Sequence, residues 1–200
     1  MIDERFWSDR YEDSNIGWDL GRVSTPLQTY IDQISNKELR ILIPGAGNAY
    51  EASYLIERGF QNVIILDISV HPLKQFQQKH PTFPKDQLRK EDFFEHQGCY
   101  DLILEQTFFC ALTPTEKMRS SYVKKMWELL NENGKLVGVW WDFPLKEDQK
   151  APPFGGDKEE YLSYFKSYFE VKTFEKAYNS VEERKELEFF GILKKKNLIG

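Results

Sequence analysis

The residues best placed by type and spacing to do chemistry are two glycines and an aspartate. The segment Ile41-Leu42-Ile43-Pro44-Gly45-Ala46-Gly47-Asn48-Ala49-Tyr50-Glu51-Ala52 reads as a strand, a glycine turn and a helix start. Glycines permit positive φ and close backbone approach, so a ligand can sit on the carboxyl end of the strand. Asp67 follows Gly47 by 20 residues, at the tip of the next apolar run, where a carboxylate can accept hydrogen bonds from both hydroxyls of a ribose. The glycine turn alone reads equally as a tight structural turn; with Asp67 it reads as a nucleoside site. A dinucleotide site wants a further Gly or Ala three residues after the second glycine, and here that position is Tyr50, which would crowd a pyrophosphate. Glu51 at the helix start would repel one as well, whereas S-adenosylmethionine carries no phosphate and has a cationic amino group. The spacing therefore favours the sulfonium cofactor over NAD.

Other candidates follow along the chain. Asp92-Phe93 comes after a weak third strand, where the carboxylate can reach an adenine amino group and the ring can edge the base; by itself the pair reads also as a helix cap and a core aromatic. The run Asp101-Leu102-Ile103-Leu104-Glu105-Gln106-Thr107-Phe108-Phe109-Cys110 should pass under the methionine end of the cofactor and open onto the acceptor. Glu105 is read as structural or as a partner of the cofactor amino group rather than as a general base, and Cys110 as a packed thiol rather than a nucleophile. Glu105, Gln106, Phe108, Phe109, Trp141 and Phe154 are the substrate-pocket candidates, with Trp140 and Phe143 beside them. Phe108 and Phe109 read equally as core. No catalytic residue is assigned. A soft anion such as a thiolate, iodide or hydrosulfide needs no base, which suits such a pocket; His71, His80 and His96 do not fall at strand ends. No His/Cys cluster has metal-ligand spacing.

Strands alternating with helices must position these residues. Strands are expected at Leu39 to Ile43, Val63 to Leu66, about Gln87 to Arg89, Tyr100 to Leu104 and Lys135 to Trp141. Helices are expected at Tyr50 to Arg58, after Asp67 to about Lys79, and at Thr115 to Leu130. Residues 131–134 read as a turn. A helix from about Lys158 to Ser167 precedes strands around Glu170 to Lys176 and Lys185 to Leu193, a terminal β-hairpin. Residues 1–38 hold Phe6, Trp7, Tyr11 and Trp18 among charges and end in a helical apolar pattern, so they read as an N-terminal cap. Residues 142–157, rich in Pro and Gly, read as a lid loop. The fold class is α/β: a Rossmann-like, mostly parallel sheet with an antiparallel C-terminal hairpin and a helical cap, in one domain spanning residues 1–200.

Composition agrees. The 200 residues are 40% hydrophobic and 15% aromatic, enough for one packed core. The net charge of −5 argues against a nucleic-acid partner, and no stretch approaches the roughly 18 apolar residues of a membrane span. Two cysteines point to reduced thiols in a cytoplasm. A monomer acting on a small-molecule acceptor is expected.

Taken together the motifs resemble the thiopurine methyltransferase-like family of S-adenosylmethionine enzymes, and within it the plant-type halide and thiol methyltransferases. The resemblance rests on Phe6-Trp7 with Gly17-Trp18-Asp19-Leu20-Gly21, Ile43-Pro44-Gly45-Ala46-Gly47, Leu66-Asp67-Ile68-Ser69, Asp92-Phe93-Phe94, and Asp101-Leu102-Ile103 with Thr107-Phe108-Phe109-Cys110-Ala111-Leu112. It implies a seven-stranded Rossmann-like sheet with one antiparallel edge strand. It also implies that Trp7, Tyr11 and Trp18 close over the cofactor, Gly45 lies under its methionine end with Gly47 and Ile68 nearby, Asp67 holds the ribose, and Asp92 and Phe93 flank adenine. The aromatic cap also reads as plain packing. Two departures fall where an acceptor would enter: Glu105-Gln106 replaces the branch's Asp-Tyr, and Ala151-Pro152-Pro153-Phe154 replaces its Gly-Gly-Pro-Pro-Tyr-like loop. The expected activity is methyl transfer to a small molecule, a thiol or other soft nucleophile; a cofactor-binding protein without turnover is the alternative that Glu105-Gln106 keeps open.

Overall fold

The computed structural model describes residues 2–146 and 148–198, so Met1 of the expected cap and Glu147 of the expected lid lie outside the described residues. Apolar runs dictate the central strands. Ile41–Pro44 (β1) and Val63–Asp67 (β2) are buried at every position, as strands covered on both faces must be. Before them come two short helices, Glu4–Glu12 (α1) and Thr25–Asp32 (α2). Asp3 caps α1 by accepting from the Phe6 N–H, and Pro26 opens the first turn of α2. Tyr50–Glu57 (α3) links β1 to β2, and Val70–Lys79 (α4), capped by Ser69, leads to Leu88–Lys90 (β3). Tyr100–Gln106 (β4), Glu116–Leu129 (α5) and Leu130–Trp141 (β5) follow, then Lys158–Phe165 (α6), Phe169–Lys176 (β6) and Glu188–Lys195 (β7).

The seven strands make one sheet in the order β3-β2-β1-β4-β5-β7-β6. β1 pairs in parallel with both β2 and β4, so the chain order reverses at the gap between β1 and β4, where open α/β sheets bind ligands. β7 runs antiparallel to both β5 and β6 and lies between them. The edge strand is therefore β6, which runs in the sense of the parallel set, and not the antiparallel strand itself. Residues 131–134 also differ from expectation: β5 continues through them from Leu130, taking up the extra length as a register shift against β4 between Tyr100 and Leu102, with Asn133 at φ 64°.

Each sheet face carries its own core. Leu42, Leu66, Ile103, Leu136 and Trp140 pack with Tyr122 and Met126 of α5 and Tyr161 and Phe165 of α6. On the other face Ile43, Ile65, Leu104, Val137 and Val139 pack with Leu27 and Ile31 of α2, Ala52 and Leu55 of α3 and Phe76 of α4. One consequence matters for the site: in β4, alternation sends Glu105 to the α5–α6 face and Gln106 to the opposite face.

Candidate functional site

A cavity of about 960 Å³ opens at the carboxyl ends of β1, β2 and β4. Its floor is the turn after β1. Gly45 and Gly47 have φ of 57° and 53°, and Ala49 at 53° starts α3 with no capping side chain, leaving the first N–H groups of the helix uncapped. Gly45 has no room for a side chain: a Cβ there would sit 2.2 Å from Cδ2 of Phe108, whose ring lies against the turn. A Cβ on Gly47 would come within 3.1 Å of the Tyr11 hydroxyl, so the N-terminal segment closes directly on the second glycine.

Asp67 ties β2 to this turn. Its Oδ2 accepts from the Gly47 N–H at 2.9 Å and its Oδ1 from the Ser69 N–H at 2.8 Å. Burial pushes the carboxyl up to about 6 against the pull of the Ser69, Gly47 and Ile68 N–H groups. Each oxygen keeps acceptor capacity for a ligand hydroxyl.

The cap is built from edge-to-face aromatics. Trp7 meets Trp18 at 5.4 Å and Tyr11 meets Trp18 at 5.9 Å between ring centroids, both at 86°. Asp19 anchors this segment to the glycine turn, since its Oδ2 accepts from Asn48 Nδ2 at 2.6 Å and from the Tyr50 hydroxyl at 3.1 Å. Ser8 and Ser69 hydroxyls meet at 3.0 Å, and Lys90 pairs with Glu4 at 2.7 Å, so α1 is moored to the β2 and β3 ends. Arg184 reaches in from the connection between β6 and β7. It pairs with Glu188 at 3.1 Å, donates to the Trp18 carbonyl at 2.6 Å and stacks 4.7 Å over Trp141.

Of the residues expected at the site, Trp7, Tyr11, Trp18, Gly45, Gly47, Asp67, Ile68, Asp92 and Phe93 line this one cavity, with Gln106, Phe108 and Trp141. Asp92 accepts from the Phe94 N–H at 2.8 Å, and Phe93 packs on Phe108 at 5.2 Å. Three of the site candidates lie off the cavity, Glu105 in the structural role and Phe109 in the core role that were among their expected readings, and Phe154 against expectation. Glu105 is fully buried on the α5–α6 side, away from the cavity. Its Oε1 accepts from the Phe108 and Phe109 N–H groups at 2.5 and 2.9 Å, so it caps the turn after β4 instead of meeting a cofactor or acceptor. Phe109 points the same way and packs on Tyr122 and Tyr161 in the core, with only 2% of its surface exposed. Phe154 is also core: its N–H donates to the Cys110 carbonyl at 2.8 Å and its side chain is covered. The strand period explains Glu105, because one residue of register separates the two sheet faces, whereas Phe109 is turned inward by the short helical turn after β4 and Phe154 is drawn in by its bond to Cys110. Trp140 and Phe143 likewise stay off the cavity wall, which Pro152 and Pro153 of the lid segment join.

Among the cavity residues that went unrecognised as site residues, Glu51 and Arg184 carry charge into the cavity. Glu51, on the first turn of α3, is buried, and burial raises its carboxyl to about 7, opposed by the N–H groups of Glu51 and Ser24 and by the Arg184 cation. Its place at the helix start was the available signal. Arg184 gave none, because its partners lie at Trp18 and Trp141, far away in sequence. Among the described residues no group of three His, Cys, Asp or Glu side chains is arranged to hold a metal ion.

A parallel sheet reversing at β1/β4, a bare glycine turn and an aspartate at the β2 tip define the class of nucleoside-cofactor enzymes to which Rossmann-like methyltransferases belong. Comparison with known proteins narrows it. The family model for Thiopurine S-methyltransferase (TPMT) matches residues 2–196. The chain is 31% identical over 159 residues to thiocyanate methyltransferase 1 of Brassica oleracea, covering 76% of this chain and 68% of that one. It is 27% identical over 177 residues to thiopurine S-methyltransferase of Vibrio vulnificus, covering 80% of each. Among solved structures, the 1,6-didemethyltoxoflavin-N1-methyltransferase of Burkholderia thailandensis superposes with a TM-score of 0.78 at 14% identity, over 97% of this chain and 87% of that one. The chain belongs to the thiopurine S-methyltransferase family and is an S-adenosylmethionine-dependent methyltransferase acting on a small molecule.

Proposed function

We propose that this enzyme methylates the sulfur of a small thiol, or a comparably soft nucleophile, in the cavity above β1 and β4. The observation that carries this reading is the apolar wall around the ends of β4 and β5, lined by Phe108, Leu112, Met118 and Trp141. A thiol ionises readily enough to need no dedicated base, whereas an alcohol or amine acceptor calls for one.

The residues present fit S-adenosylmethionine. The bare turn at Gly45 and Gly47 admits it closely, Asp67 has acceptor capacity left for the two ribose hydroxyls, and the cavity lies at the large end of the range for ligand sites, with space for a second small molecule. In this reading Ile68 and Asp92 with Phe93 flank the base, and Trp7, Tyr11 and Trp18 close over the cofactor. When bound, the cofactor supplies a methyl group on a sulfonium, transferred by in-line displacement. The chain's own contribution is alignment and dryness: Phe108 and Trp141 exclude water from the nucleophile, and rings of the cap attract the sulfonium charge by about 0.5–2 kcal/mol each. Residues 1–38 act as cap and 142–157 as lid on one catalytic domain. The lid is rooted where Phe143 bridges Gly156 and Arg119 donates to the Gly155 carbonyl at 2.7 Å. The protein works as a cytoplasmic monomer; among the described residues no helix is long and apolar enough to cross a membrane.

The test is transfer of labelled methyl from the cofactor to a panel of thiols, hydrosulfide and thiocyanate, beside oxygen and nitrogen acceptors of equal size, with NAD titrated separately by calorimetry. Labelled thioethers are expected. Transfer confined to oxygen or nitrogen acceptors sinks the reading.

A further inference from the structure

Glu51 is the second residue of α3, just past the glycine turn. Helical side chains lean back toward the N-terminus of their helix, so that of Glu51 reaches over the turn it follows. Its mount is fixed: Ala49 opens α3 at φ 53°, and Tyr50 beside it is tied through its hydroxyl to Asp19. Only 5% of Glu51 remains exposed, and that part faces the cavity. Its carboxyl oxygens stay open to a ligand there, unlike the neighbouring Ser24 hydroxyl, which is closed off without a partner.

This carboxyl lacks a counter-ion. Two backbone N–H groups, its own and that of Ser24, face it, and among the described residues no side chain donates to it. Arg184 acts on it only through the field, because its guanidinium is held by Glu188 and the Trp18 carbonyl. The other carboxylates around the turn are engaged, Asp19 with Asn48 and Tyr50, Asp67 with Gly47 and Ser69. A carboxylate buried to this degree needs a paired cation to stay charged, and the open side from which one can arrive is the cavity.

Resting on the reading that lays the methionine end of the cofactor over Gly45, we infer that Glu51 binds the α-ammonium of S-adenosylmethionine, a part that the sequence left open for Glu105. Glu105 cannot take it, since its carboxyl lies on the far face of the sheet, turned to the Phe108 and Phe109 N–H groups. An ammonium brings Glu51 a full positive charge and three donors. An ammonium on the acceptor is the competing occupant. The acceptor wall, however, lies around Phe108, Leu112, Met118 and Trp141 at the ends of β4 and β5, whereas Glu51 rises from the turn after β1.

The probes are S-adenosylhomocysteine and its analogue with the amino group replaced by hydrogen, which keeps the adenine, ribose, sulfur and carboxylate. By calorimetry the wild type should bind S-adenosylhomocysteine roughly 10–100-fold more tightly than the analogue, the scale of a charge-assisted hydrogen bond. Glu51→Gln keeps the shape and removes the charge. It should weaken S-adenosylhomocysteine alone, bringing the two affinities to within a few-fold, while affinity for the analogue stays put. Asp67→Ala, which should weaken both ligands alike, reads the cofactor placement separately. Equal affinities in the wild type, or a Glu51→Gln variant that weakens both ligands alike or neither, overturns the assignment and leaves that placement standing. Unaltered affinities with turnover lost for an aminothiol alone overturns it in favour of the acceptor. A wild type that binds neither ligand overturns the placement as well.

Discussion

Replacing Glu105 by glutamine exchanges one carboxyl oxygen for an amide nitrogen in the middle of the protein. Glu105 lies between β4 and α5 with its Oε1 holding the Phe108 and Phe109 N–H groups and its Oε2 without a partner. Burial raises its carboxyl from the ordinary 4.5 to about 8, the two N–H groups pulling the other way. The folded protein thus keeps the proton at neutral pH, while the unfolded chain releases it. The sign follows: stability from this group is complete below the unfolded value near 4.5 and is lost as pH rises toward the folded value near 8. At pH 7 the loss is about 3 kcal/mol, from 2.5 units at 1.36 kcal/mol each, and it grows by about 1 kcal/mol more by pH 8. Glutamine keeps the Oε1 acceptor for both N–H groups, stays neutral at every pH and offers its NH₂ to the nearby unpartnered Tyr122 hydroxyl. Glu105→Gln should therefore match the wild type near pH 5 and exceed it by about 3 kcal/mol at pH 7, or about 6–12 °C in melting temperature for a chain of this size. Thermal melts at pH 5, 6, 7 and 8 with urea titrations at the two ends read this directly. A difference that stays flat between pH 5 and 8 refutes the neutral-acid assignment. Turnover checks the placement as well: because Glu105 does not line the cavity, kcat should survive the change, and a loss of 10²-fold or more would restore it as an acid–base group.

Asp67→Ala should weaken S-adenosylhomocysteine binding by about 1–3 kcal/mol, the cost of leaving ribose hydroxyls unpaired, as read by calorimetry; unchanged affinity removes the ribose assignment. Gly45→Ala meets both a positive φ of 57° and a Cβ 2.2 Å from Phe108, so it should abolish cofactor binding and lower the melting temperature, and a variant that binds normally would mean that Phe108 yields freely. Glu188→Ala leaves Arg184 buried without its carboxylate and should cost about 3–5 kcal/mol in urea unfolding, with weaker cofactor binding because Arg184 also holds the Trp18 carbonyl. Wild-type stability in that variant would show that the Trp18 carbonyl and the Trp141 ring suffice for Arg184.

The glycine turn and strand tip proposed to hold the cofactor were legible in the sequence because their parts are local. A glycine turn needs only a few consecutive residues to declare positive φ, and Asp67 sits at a strand tip whose phase is set by a short apolar run. Both faces of β1 and β2 are buried, so no choice of face had to be made there. The proposed acceptor side was legible only in outline. Gln106, Phe108 and Trp141 line the cavity, while Glu105, Phe109 and Phe154 turn away from it. In the sequence nothing separates Glu105 from Gln106 or Phe108 from Phe109, since adjacent residues of like type end β4 and begin the turn after it.

By itself the sequence determined the alternation of strand and helix, the parallel sheet, the glycine turn with its aspartate partner and the aromatic character of the N-terminal segment, all of which follow from short-range spacing. Only the tertiary structure decided which side of β4 faces the cavity, because that depends on which helices cover each face of the sheet. Only it joined Arg184 to Trp18 across 166 positions of chain, and only it left Glu51 facing the cavity without a side-chain donor among the described residues, since a missing hydrogen bond exists in three dimensions alone.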